Sequence, residues 1–197
     1  MKKKVGFVLL VLSVGVPVTG RASGLYLDFG GMAGQTNMLV PTGNTKPSLI
    51  HAGAELTLGY FFWGGLFAGF SSSVRMVNQY SSIDTPVGNR RGNHFNYFSP
   101  MLGLRIGRWV TKLQAQVLGK YDFADLDVSG SPFSYSKGKG AEFTLLFPLV
   151  GRVEGGGYVG YYSFSSPNVT PPDGLTVSST MNLWEAGITL TYNLAGI

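Results

Sequence analysis

The last part of the chain carries the clearest alternation of apolar and polar residues. Between Leu183 and Leu194, the even-numbered positions hold Trp, Ala, Ile, Leu, Tyr and Leu, while Glu, Gly, Thr, Thr and Asn separate them. A period of two predicts a β-strand with one apolar and one polar face. In water the apolar face would need a second sheet to cover it. In a bilayer it can face lipid, provided that both strand edges are paired.

Seven earlier stretches show a similar alternation, so the sequence predicts an all-β chain of eight strands. The predicted strands lie near residues 24–33, 50–62, 66–80, 94–107, 113–123, 141–147, 153–165 and 183–194. The seventh has no assigned facing, because the glycines at 155–157 and the tyrosine pair at 161–162 blur the pattern. No stretch after the first 22 residues carries a convincing helix signal.

The connections between these strands alternate in length. Those near 63–65, 108–110 and 148–152 are short, whereas 34–49, 81–93, 124–138 and 166–180 are long and rich in Ser, Pro, Gly, Asn and Asp. An up-and-down barrel places all its long loops at one rim, and a soluble sandwich has no reason to do so. The pattern therefore predicts an eight-stranded antiparallel up-and-down transmembrane β-barrel.

The first 22 residues differ from the rest and are predicted to be a cleaved secretory signal peptide. Lys2, Lys3 and Lys4 precede a short apolar run, Pro17 ends it, and small residues follow. Residues 24–197 are then a single barrel domain. Removal of residues 1–22, with four basic residues and no acidic one, lowers the formal net charge from +5 to +1. This charge gives no reason to expect a nucleic-acid partner, and the lack of cysteine excludes a disulfide scaffold.

Aromatic residues near the predicted strand ends suggest two girdles at the membrane interfaces. Trp63 and Trp109 lie at the short-turn rim, while Tyr80, Tyr121 and Trp184 lie nearer the other.

Charged residues recur on the polar face, which in a closed barrel lines the lumen. The alternation assigns six of them to one predicted network: Glu55, Arg75, Arg105, Lys120, Glu142 and Glu185. Three acids and three bases can neutralise one another, so the set is either a structural ion network or a charged gate across a narrow pore. We favour the structural network, because eight strands enclose an interior that side chains can fill.

The final strand resembles the C-terminal signal by which bacterial outer-membrane barrels are assembled. The matching positions are Glu185, Gly187, Leu190 and Tyr192, although the chain ends on Ile197 where that family usually ends on an aromatic. The whole chain resembles the small barrels of the OmpA-transmembrane, OmpX and OmpW type. The resemblance implies an outer-membrane location, contact with outer-membrane lipid, and recognition by periplasmic chaperones and the barrel-assembly machinery.

For barrels of this class the resemblance implies no reaction and no cofactor. The leading hypothesis is a structural and surface-interaction protein whose loops bind a host or cell-surface ligand, as adhesins do. The alternative is a narrow porin-like channel or a conduit for small hydrophobic molecules.

A third hypothesis, a lipid A-modifying enzyme, has weaker support from the sequence. The deacylase type needs Ser two residues after its His, but Asn96 follows His94 and Gly53 follows His51 at that spacing. No cluster of Cys or His suggests a transition-metal site. We therefore expect neither catalysis nor a bound metal.

Overall fold

The fold is an eight-stranded closed barrel. The computed structural model describes residues 24–39, 48–79, 90–125, 133–168 and 179–195. The strands are β1 (Gly24–Leu39), β2 (Ser48–Trp63), β3 (Leu66–Gln79), β4 (Arg90–Ile106), β5 (Trp109–Asp125), β6 (Phe133–Val150), β7 (Val153–Asn168) and β8 (Thr180–Ala195). Each pairs antiparallel with its neighbours, and β1 also pairs with β8. The predicted fold class is confirmed. The predicted signal peptide and Tyr80 lie outside the described residues.

None of the described residues forms a helix that is long and apolar enough to cross a membrane.

Three two-residue turns join strands at one rim, which we call the turn end. They are Gly64–Gly65, Gly107–Arg108 and Gly151–Arg152. Gly64 and Gly65 have φ of 52° and 87°, a backbone region that residues with a Cβ rarely adopt. The undescribed ranges 40–47, 80–89, 126–132 and 169–178 follow strand ends at the opposite rim, the loop end. The predicted alternation of short and long connections is thus confirmed.

The outer surface of the barrel is apolar and the inner surface is largely polar. On β8, Ile188 is 71% exposed on the outside, whereas its sequence neighbour Thr189 is 7% exposed inside. The same alternation holds over the predicted parts of β1, β2 and β3 and over residues 141–147 of β6. On β7, which the sequence left unassigned, Tyr158 and Tyr162 face inward and Val159 faces outward.

A bulge in β5 reverses the alternation predicted for that strand. The register shifts on both sides of Gly119, where Val117 and Leu118 both face outward. A bulge adds one residue to one strand, so every side chain beyond it changes face. Tyr121 is therefore buried in the lumen and Lys120 lies outside. The prediction that Tyr121 joins an outer girdle is wrong, and so is the prediction that Lys120 faces the lumen.

Two clusters of apolar side chains close the lumen near its ends. The turn-end cap consists of Tyr26, Phe61, Phe67, Met101, Val110 and Leu146. The loop-end cap consists of Leu49, Val77, Tyr121, Tyr135, Tyr162, Phe164, Met181 and Leu183. The charged and hydroxyl-bearing side chains fill the space between these caps, so the barrel interior is layered along its axis.

Glycine makes room for the aromatic rings of the caps. Phe67 on β3 pairs with Gly103 on β4, and a Cβ built on Gly103 would lie 2.1 Å from the Phe67 ring. A side chain there would displace the ring from the turn-end cap. The high glycine content thus serves the packing of a narrow lumen.

The facing of β8 gives a depth-dependent prediction. Ile188→Lys places a charge in the middle of the outer apolar surface and should destabilise the folded barrel by about 2–4 kcal/mol. The matched variant Asn182→Lys puts the same charge on the same strand and face but near the loop end, where the cost should be about 0–1 kcal/mol. Denaturant unfolding of both variants in lipid vesicles measures the difference. Equal losses would contradict the assigned membrane position.

Candidate functional site

The part of the lumen nearer the loop end is organised around Arg75 of β3, whose side chain is buried. Its two terminal nitrogens form ion pairs with Glu142 of β6 and Glu185 of β8. Nη1, the nitrogen that pairs with Glu185, also donates to the Tyr162 hydroxyl at 2.8 Å, and the guanidinium lies 5.3 Å from the centre of the Tyr158 ring. A single arginine therefore connects walls on opposite sides of the barrel. We call this set the Arg75 cluster.

Two histidines extend the Arg75 cluster around the wall, and both are buried. His94 Nδ1 lies 3.3 Å from a Glu185 oxygen, and its Nε2 lies 2.8 Å from Gln116 Oε1. His51 Nδ1 lies 2.8 Å from the Thr36 hydroxyl, and its Nε2 contacts the Tyr158 hydroxyl. Since every ring nitrogen has a polar partner, both histidines act as buried network members.

The part of the lumen nearer the turn end is organised around Lys112 of β5. Its ammonium lies 2.8 Å from a Glu55 oxygen on β2 and 3.4 Å from an Asp28 oxygen on β1. Thr57 and Gln114 both donate to the same Glu55 oxygen at 3.1 Å. Lys112 thus forms ion pairs with two carboxylates from the opposite wall, and we call this set the Lys112 cluster.

A third charged group lies closer to the turn end. Arg105 of β4 donates to Glu154 of β7 at 3.0 Å, with side chains 13% and 9% exposed. The guanidinium also lies 5.8 Å from the centre of the Phe61 ring in the turn-end cap. The lumen is therefore crossed by charged contacts at three heights.

The structure brings five of the six predicted lumen charges inside, but divides them among three groups. Arg75, Glu142 and Glu185 lie together, Glu55 joins Lys112, and Arg105 joins Glu154. Lys120 instead pairs with Asp122 on the outer face at 2.8 Å, because the β5 bulge reverses its facing. A direct pairing of Glu55 with Arg75 is not formed.

Sequence reasoning missed three charged members of these groups. Lys112 has the same parity as Gln114, which also faces the lumen, and it lies one residue before the fifth predicted strand. Asp28 has the parity of the inner face of β1, so the alternation carries a signal for it. Glu154 begins a strand whose glycines hide the alternation, so the sequence carries no clear signal for it.

The girdle and assembly-signal residues have well-defined positions. Trp63 and Trp109 are 79% and 52% exposed at the turn end, and Trp184 is 48% exposed on the outer face towards the loop end. Leu190 and Tyr192 face outward on β8, while Glu185 and Gly187 face the lumen. The interfacial role of the tryptophans and the recognition of β8 by the assembly machinery stay predictions.

The deacylase chemistry needs Ser two residues after its His, and neither His51 nor His94 has one there. Asn96, at the position where that chemistry requires Ser, accepts a hydrogen bond from Ser99 at 2.8 Å. Within the ranges that the structure describes, no group of three or more His, Asp or Glu residues could hold a metal ion.

Comparison with known proteins supports the fold but does not assign a function. No protein-family model matches the chain, and no curated protein matches it. Neisserial surface protein A (NspA) superposes with a TM-score of 0.56 at 12% identity, covering 88% of this chain and all of that one. Ail, the attachment invasion locus protein of Yersinia pestis, gives 0.46 at 16% identity, covering 87% of this chain and all of that one.

OprG from Pseudomonas aeruginosa gives a TM-score of 0.40 at 13% identity, covering 87% of this chain and 95% of that one. The superposition on NspA, together with the closed strand order, assigns the chain the fold of the small bacterial outer-membrane β-barrels.

The two faces of β5 provide a matched test of the lumen. Lys112→Met leaves Asp28 and Glu55 buried without their cation, so it should lower the free energy of unfolding by about 3–5 kcal/mol. Lys120→Met removes an exposed lysine from the same strand and should have little effect, since exposed ion pairs contribute little to stability. Denaturant unfolding in vesicles compares them. A greater loss for Lys120→Met would overturn the facing assigned to β5.

Proposed function

We propose that this protein is an integral outer-membrane barrel that acts as a structural support for surface-exposed binding loops, and that it has no enzymatic role. The observation that carries the proposal is the filled lumen. Side chains from opposite walls meet in the Arg75 cluster and the Lys112 cluster, and apolar caps lie above and below them. In a scaffold of this kind the lumen side chains contribute to the stability of the fold.

The filled lumen argues against the alternative of a narrow channel. Passage of an ion along the axis would require Arg75 to leave both its carboxylates, and each broken buried ion pair costs several kcal/mol. The two caps would also have to open. A conduit for hydrophobic molecules meets a different obstacle, since the layers between the caps are lined by charged and hydroxyl groups that apolar molecules do not solvate.

The segments at the loop end support a binding role. The ranges 40–47, 80–89, 126–132 and 169–178 all connect strands at the same rim, which faces outside the cell in barrels of this architecture. Connecting segments held on a rigid scaffold are a common arrangement for recognition. The proposed ligand is a component of host or neighbouring cell surfaces.

Replacement of each loop-end segment by a Gly-Ser segment of equal length tests this role. Cells that express the wild-type protein should adhere to immobilised host matrix proteins more strongly than cells without it. At least one replacement should reduce adhesion to background while the amount of folded barrel in the outer membrane stays the same. Arg108→Ala, a change at the exposed turn end, is the control and should leave adhesion unchanged. Unaltered adhesion in all four replacements would contradict the proposal.

A further inference from the structure

The outer face of the barrel carries a local cluster of lysines near the loop end. Lys137 and Lys139 are exposed on β6, two residues apart and therefore on the same face. Lys120 lies on the adjacent strand β5, next to Gly119, which pairs with Gly138. We call these three residues the lysine patch.

The patch has a net positive charge. Asp122 lies 2.8 Å from Lys120 and compensates it. Neither Lys137 nor Lys139 forms an ion pair with a carboxylate in the part of the chain that the structure describes. Two ammonium groups without a carboxylate partner are thus left next to each other on β6. Lys120, which pairs with Asp122, lies beside them on β5.

Among the described residues, the patch does not extend onto β7 or β8. On β7, Ser163 and Ser165 pair with Lys139 and Lys137, and on β8 Asn182 pairs with Ser163. These neighbours at the same height carry no charge. Lysines that serve only to anchor a barrel in its interface have no need to cluster on two strands.

The patch lies directly above an apolar strip. Below Lys139, the outward side chains of β6 are Ala141, Phe143, Leu145 and Phe147. From Ala141 to Leu149 this outward row spans about 20 Å of membrane depth at a strand tilt of about 40°, close to the height of a barrel's apolar band. Lys139 therefore lies at the boundary between hydrocarbon and headgroups.

Small side chains make the top of that strip shallow. Ala141 pairs with Ala115 on β5, and both are exposed. Larger side chains border them: Val117 lies two residues beyond Ala115 on β5, towards the loop end, and Tyr161 on β7 pairs with Ala141. An extended acyl chain can lie over the alanines while its headgroup reaches the ammonium groups.

We infer that the lysine patch, together with Ala141 and Ala115 beneath it, binds a phosphorylated glycolipid of the outer leaflet. The phosphate groups would pair with Lys137 and Lys139, and an acyl chain would lie over Ala141 and Ala115. The site rests on the proposed outer-membrane location, because it needs the loop end to face the outer leaflet. It is independent of what the loops bind.

Titration of the folded barrel with bisphosphorylated lipid A, read by native mass spectrometry, tests the site. The double variant Lys137→Gln/Lys139→Gln should bind about 30-fold more weakly, since each cation near a lipid surface contributes about fivefold. The variant Lys137→Arg/Lys139→Arg should keep the affinity. Arg108→Gln/Arg152→Gln, which removes two exposed charges from the turn end, should bind like the wild type.

Dephosphorylated lipid A and phosphatidylglycerol should both bind the wild type more weakly than bisphosphorylated lipid A. The inference is overturned if the Gln variant binds as the wild type does, if the turn-end control loses as much affinity, or if either comparison lipid binds equally well. Heat-modifiable gel mobility confirms that each variant is folded, and Lys139→Gln alone serves if the double variant is not. A wild type that inserts into bilayers without lipid selectivity defeats only this inference, whereas failure to insert defeats the proposed function.

Discussion

A chain that crosses a bilayer by strands must satisfy every backbone hydrogen bond within itself, because the hydrocarbon offers no partner. Here the pairing of β1 with β8 removes the last two free edges. Closure of the barrel also determines where the side chains lie. It directs alternate side chains into a narrow interior, and at eight strands that interior has to be filled by those side chains.

Filling the interior with charged groups is stable only when opposite charges meet. Each of the two central cations therefore pairs with carboxylates from other strands: Arg75 on β3 meets acids on β6 and β8, and Lys112 on β5 meets acids on β1 and β2. These contacts join residues that are distant in sequence and stiffen the barrel across its diameter. The apolar caps then exclude water from both ends of the polar layers, which strengthens the ion pairs between them.

The sequence predicts the barrel well because alternation and connection length are local properties. The facing of β8 and the inward position of Glu55, Arg75, Glu142 and Glu185 follow from parity alone. Parity fails at the β5 bulge, because one inserted residue at 117–119 leaves no recognisable trace in the hydrophobic pattern. The partners of each charge could not be predicted either, since they depend on register around the whole barrel. Glu55 pairs with Lys112 across the lumen and not with Arg75 on the neighbouring strand.

Current through single barrels in a planar bilayer tests the central claim, a lumen sealed by its own side chains, most directly. The barrel should be refolded to homogeneity, and protease protection in the same lipid should establish that it is inserted. The account predicts a flat baseline for the wild type under applied voltage, because the Arg75 cluster, the Lys112 cluster and the two caps leave no continuous water path. Stable, uniform current steps from the wild-type protein would contradict it and would favour a pore through the lumen.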